Sequence, residues 1–142
     1  MKKMVSKDKT YLGFLLFVFF AYGSCYLLSQ TVLHEIYLFE WTADHFYLYL
    51  WVIPAAFCFL NKFWAAISTT IGNWVGILIG QVLGDLIIKI NAAKITPDMY
   101  VGKAWQLRTH YGVLIWLAVF LLSLIVGIGS EKKHSGRNGN TK

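Results

Sequence analysis

Charge is scarce in this chain: only 14% of its 142 residues are Asp, Glu, Lys or Arg, against about 25% in a soluble domain. So little polar material cannot coat a globular surface, which excludes a water-soluble domain. Hydrophobic residues make up 57% and aromatics 17%, so the expectation is an all-α integral membrane protein folded as one bundle. Cysteine and proline are also rare, two of each. Cys25 and Cys58 fall inside apolar runs and form no CxxC, so neither a disulfide framework nor a redox pair has support. Buried, unreactive thiols are expected instead. Catalytic signatures are missing too: the sequence has no GxxxxGK[ST] loop, GxSxG elbow, zinc-ligand pattern or dinucleotide fingerprint. An enzyme would need its groups inside the bundle or in two short loops, and no acid–base–nucleophile set is placed there. The expectation is a non-catalytic protein without a cofactor.

The net charge of +6 does not point to nucleic acid. Basic residues sit in short clusters beside apolar segments, where they orient a chain in the membrane, and no Arg-rich face accompanies them. Membrane lipids are the expected anionic contacts.

Residues 1–10 form a basic, solvated N-terminus with Lys2, Lys3, Lys7 and Lys9. Residues 11–30 carry no charge and are long enough to cross the hydrocarbon core. This run is too long for a signal peptide and no A-x-A-like site follows. Gly23-Ser24-Cys25 resembles a lipoprotein cleavage site only loosely, since bulky Tyr22 precedes it and apolar residues continue past the cysteine. Residues 31–45 lack Lys and Arg but are strongly apolar, which predicts an amphipathic segment lying along the interface. A second span is expected over 45–64, kinked at Pro54 where the carbonyl four residues earlier loses its partner; a re-entrant segment is the alternative. Asn61-Lys62 is the only polar break before a third span over 65–88, so a tight helical hairpin follows. In the 89–110 connection, Thr96-Pro97-Asp98 reads as a helix start, opening a short surface helix with Met99, Trp105 and Arg108. The last span is 111–129, and 130–142 is a basic tail expected to be disordered.

Four spans place nine basic residues on the side of the termini and four on the other. That favours both termini in the cytoplasm of a bacterial plasma membrane, although four basic residues in the outer connection run against the pattern. A three-span alternative gives eight against five.

The segment with most internal order is the third span. Ser68, Gly72, Gly76, Gly80 and Gly84 recur every fourth residue, and residues four apart share a helix face. In water each glycine would cost about 1 kcal/mol relative to Ala, whereas in a bilayer a bare ridge lets backbones approach closely. Beside it runs the polar row Asn73, Gln81 and Asp85, with Lys89 four residues after Asp85 in the favourable order for an ion pair. This row is either a proton or cation path or a set of interhelical hydrogen bonds, the second being favoured because no acid lies at mid-membrane. His34, Glu35, Glu40, Asp44 and His45 are metal-ligand types, but their spacing fits no known ligand motif, so no metal is expected. His110 is read as a headgroup or loop contact.

Two functions follow as expectations. One is a small multi-pass protein that assembles with itself or with a larger membrane partner through the glycine ridge. The other is a small homo-oligomeric carrier or channel for protons, cations or a small solute, using Asn73, Gln81 and Asp85.

Overall fold

The computed structural model describes residues 2–45 and 50–139, with side chains from 10 to 134 outside the 46–49 gap. Among the described residues all regular structure is helical: α1 Lys2–Thr31, α2 Tyr37–His45, α3 Val52–Phe59, α4 Phe63–Ala92, α5 Val101–Leu107 and α6 Gly112–Gly139. Three stretches are long and apolar enough to cross a membrane: Thr10–Thr31, Phe63–Ala92 and Val101–His134. Their surfaces fit that role. On α1 the buried residues Val18, Tyr22, Cys25 and Ser29 form one narrow stripe, while Leu12, Leu16, Phe19, Phe20 and Leu27 are exposed. A helix that stays apolar away from its buried stripe requires an apolar solvent.

The expected second span is not one continuous helix among the described residues. Within 45–64 they hold the last residue of α2, His45, then Leu50, the 8-residue α3 and the start of α4 at Phe63, and α3 is too short to cross alone. Residues 46–49 of that span lie outside the described residues. The helix is interrupted at Trp51 and resumes at Val52, so Pro54 falls in the first turn of α3, where a missing N–H costs little. At the other end α3 stops abruptly. Asn61 adopts φ 55°, and the Asn61 and Lys62 amides donate to the Cys58 and Phe57 carbonyls at 2.9 and 2.8 Å. This is a Schellman motif with Asn at the left-handed position, and it makes the tight hairpin into α4.

Residues 31–45, expected along the interface, pack one face of α2 into the bundle. Leu38, Phe39, Thr42 and Ala43 of α2 are buried, because α4 offers α2 a slot: Leu38 packs where Gly80 has no side chain. Ring contacts give the direction of the chain. Tyr37 lies against His110 with centroids 4.2 Å apart, Trp51 meets Phe19 at 5.4 Å, and Phe59 meets Tyr11 at 5.5 Å. The pair α2–α3 therefore starts at the α6 N-terminus and ends beside the beginning of the apolar run of α1.

The most extensive contact among the described elements is between α4 and α6. Two polar ends differ from expectation. Helix α6 continues through the expected tail to Gly139, and Glu131 and His134 on it dock onto Trp64; residues 140–142 lie outside the described residues. Helix α1 likewise takes in the N-terminal segment from Lys2. Lys, Met and Glu are good helix formers, so an established helix propagates through them at little cost. In the connection, Thr96-Pro97-Asp98 forms a turn and not a helix start: the Met99 amide donates to the Thr96 carbonyl at 3.1 Å. Pro97 then stands at the second turn position, which its fixed φ suits, and α5 begins at Val101.

Candidate functional site

The glycine ridge is filled from within the chain. A methyl group on Gly76 would stand 3.0 Å from the Trp116 ring, and one on Gly80 would stand 2.5 Å from the Gly112 carbonyl oxygen. At Gly72 it would collide with Ser123, and at Gly84 with the His110 imidazole. Helix α6 answers with Gly127, whose own methyl would come within 2.9 Å of the Ala65 Cα and the Ser68 Cβ. Partner numbers fall on α6 as they rise on α4, so the two helices run antiparallel in contact from Ala65 to Gly84. That length is about 28 Å at 1.5 Å per residue, close to the thickness of a hydrocarbon core. The ridge cannot meet another chain while α6 occupies it.

Polar contacts tie this seam at four depths. The Glu131 carboxylate accepts the Trp64 amide at 2.9 Å, capping a donor at the α4 N-terminus that has no partner in its own helix. His134 stacks on the Trp64 ring at 4.7 Å. Ser68 donates its hydroxyl to the Ser123 carbonyl at 2.7 Å. The Trp116 indole N–H donates to the Asn73 side-chain oxygen at 3.1 Å. Asn73 is fully buried, and its Nδ2 has no hydrogen-bond partner among the described residues.

The fourth tie is the most elaborate. Gln81 accepts the Leu38 amide at 2.8 Å, so it caps an orphan donor in the first turn of α2, and donates to Asp85 at 2.8 Å. Asp85 pairs with His110 Nε2 at 3.2 Å. His110 Nδ1 in turn accepts the Gly112 amide at 3.1 Å, and its ring lies against Tyr37. Contacts therefore close a ring through α2, α4 and the start of α6. The Asp85 side chain is 61% exposed and that of His110 only 6%, so the carboxylate faces outward while the imidazole is enclosed. A backbone amide can only donate, so Nδ1 in this arrangement is unprotonated and the ring proton sits on Nε2, directed at Asp85.

Of the polar row, Gln81 and Asp85 belong to this clasp and Asn73 does not. Ile77, fully buried, lies one turn along the row between Asn73 and Gln81. Lys89 forms no ion pair with Asp85 among the described residues; Asp85 turns to His110. His110 and Tyr37 are the members that the row does not contain. Their signal was weak: a lone histidine and an aromatic in loops, joined to the row only by the fold.

The five metal-ligand types are not brought together. His34 sits beside the Thr31 carbonyl at 3.2 Å, and His45 stacks on Trp41 at 4.6 Å. No group of three or more His, Cys, Asp or Glu gathers among the described residues. Cys25 and Cys58 are buried free thiols. No protein-family model matches the chain, and neither the curated proteins nor the solved structures contain a significant match to it.

Proposed function

We propose that this chain is a non-catalytic multi-pass membrane protein that acts by assembling with itself or with a larger membrane partner. The observation that carries this reading is the closed α4–α6 seam. It is packed glycine against side chain from Ala65 to Gly84, and Ile77 separates Asn73 from the clasp. Such a seam makes a stiff scaffold, and among the described residues Ile77 interrupts the polar row. With the ridge occupied, the assembly surface moves to α1. Leu16, Phe20 and Leu27 are 62%, 77% and 63% exposed, and Gly13 and Gly23 have nothing within 4 Å of an added methyl. These five fall at heptad-like spacing opposite the buried stripe, the arrangement by which one helix receives another.

In this proposal α2 and α3 together form a fourth crossing, so both termini and Asn61 share one side. The count of basic residues then puts that side in the cytoplasm, with a bacterial plasma membrane as the location. Helix breaks at membrane depth are tolerated where protein covers them, as the burial of Leu38, Thr42 and Pro54 provides.

The test is native mass spectrometry of the full chain extracted gently from its own membrane, beside Gly13→Leu/Gly23→Leu. A homo-oligomer or a stoichiometric foreign subunit that is lost in the variant, whose unfolding midpoint is unchanged, is the expected result. A lone monomer in both samples overturns the assembly role. The second reading, a small carrier, has one observation in its favour: an exposed carboxylate hydrogen-bonded to an enclosed imidazole, the arrangement of a proton relay. It requires flux into proteoliposomes that falls on Asp85→Asn while the fold survives.

A further inference from the structure

The connection between α4 and α6 carries exposed groups that neither the seam nor the clasp uses. Tyr100, Val101 and Trp105 are 80%, 76% and 75% exposed, an unusual cost for aromatic surface if it faced water. Basic groups surround them: Lys94, Lys103 and Arg108, against Asp98 as the one acid in residues 93–110. None of the three pairs with a carboxylate among the described residues; Lys94 reaches only the Asn91 amide oxygen, at 3.2 Å.

The helix wheel of α5 sorts these groups. Ala104 and Leu107 are its half-buried positions and so face the protein. At 100° per residue, Val101, Trp105 and Arg108 fall within about 60° of one another on one flank, Lys103 lies on the opposite flank beside Leu107, and Gln106 projects away from the bundle. The depth is set at both ends. The connection leaves α4 at Ala92, about 12 Å beyond Gly84, and returns to His110, which is packed on Gly84. It therefore occupies the layer just outside the apolar core of the bundle.

We infer that this connection is a lipid-binding anchor: Val101, Tyr100 and Trp105 enter the interfacial layer, and Lys94, Lys103 and Arg108 bind the phosphodiester of anionic phospholipids. Tyr and Trp suit that depth, with an apolar body and a polar tip. Basic residues beside them attract acidic headgroups. The anchor also accounts for three of the four basic residues on the side with the weaker positive count: Lys94, Lys103 and Arg108 act on lipid there and do not orient the chain. The inference rests on the chain spanning a bilayer, but not on the assembly role.

Two measurements on the full chain test it. In nanodiscs of phosphatidylcholine with phosphatidylglycerol, native mass spectrometry after release should find the anionic lipid retained over the zwitterionic one. Lys103→Gln/Arg108→Gln should reduce that preference on the order of ten-fold, whereas Lys132→Gln/Lys133→Gln, at the opposite end of α6, should leave most of it. Equal retention of both lipids, or an equal loss in the two variants, overturns the inference. In the second measurement, lipids brominated near the headgroup end of the acyl chain should quench a component of the tryptophan emission that disappears in Trp105→Phe. No difference in quenching between wild type and Trp105→Phe would put the ring in water and overturn the anchor in favour of a soluble partner. Because Trp105→Phe changes neither seam nor clasp, a lost assembly role would not alter either result.

Discussion

A single methyl group at Gly80 decides whether α2, α4 and α6 can meet. It would stand 2.5 Å from the Gly112 carbonyl oxygen and 2.8 Å from Leu38, and backbone cannot swing aside as a flexible side chain can. Gly80→Ala should therefore destabilise the fold by about 1–3 kcal/mol, the usual range for overpacking. Gly13→Ala, with open space around it, should be neutral or stabilising by up to about 1 kcal/mol. Equilibrium unfolding in mixed micelles compares the two, and equal losses would sink the assignment of the ridge to internal packing. At His110 the geometry makes a sharper statement. Since Nδ1 accepts the Gly112 amide, nitrogen NMR of the unprotonated ring should report the Nε2–H tautomer. The opposite tautomer would mean that the cap on α6 is not made. For the buried pair, Asn73→Leu and Trp116→Phe should be non-additive by about 0.6 kcal/mol, typical of a hydrogen bond inside a membrane protein. Strict additivity in that double-mutant cycle would mean that the Trp116–Asn73 bond contributes nothing to stability.

Between residue and molecule, the elements differ in how far their sequences foretold them. Helices α1, α4 and α6 were legible because their signal is composition over twenty or more residues, which local detail cannot erase. The α3–α4 hairpin was legible from Asn61-Lys62, and its mechanism predicts an asymmetry. With φ 55° at Asn61, Asn61→Gly should be harmless, while Asn61→Val should cost about 1–2 kcal/mol by forcing a β-branched residue into the left-handed region; unfolding of the two variants side by side measures it. The packing of α2 was not legible, for a physical reason. Its apolar and acidic residues suit an interface, but Gln81 offers its amide a partner and Gly80 offers Leu38 a slot, and both lie more than forty residues away. The helical tail was missed likewise, since the Glu131 contact to Trp64 is invisible to composition. Of the clasp, Gln81 and Asp85 stood out by period, whereas His110 and Tyr37 join them only once α2 and α6 are packed.

For the whole molecule the open question is how the chain threads the bilayer, because α2 and α3 are individually too short to span. The fourth crossing proposed above, α2 and α3 together, is consistent with the ring contacts. Tyr37 begins the pair beside His110, and Phe59 ends it beside Tyr11, at opposite ends of the apolar run of α1. If the pair were re-entrant, its two ends would lie on the same side, and Phe59 could not reach Tyr11 while Tyr37 reaches His110. Four crossings then put Asn61 and Lys132 on one side and Met99 on the other. Single cysteines at these three positions, in a background where Cys25 and Cys58 are buried, can be labelled in intact cells with a membrane-impermeant maleimide. The expected outcome is labelling at Met99→Cys alone, with Asn61→Cys and Lys132→Cys reacting only after the membrane is opened. Labelling of Asn61→Cys together with Met99→Cys would mean that α4, which lies between them, does not cross. Labelling at Asn61 and Lys132 but not Met99 would overturn four crossings with cytoplasmic termini and put the basic α5 connection at the cytoplasmic leaflet; Lys3→Cys then separates three crossings, where it stays unlabelled, from four reversed ones, where it reacts.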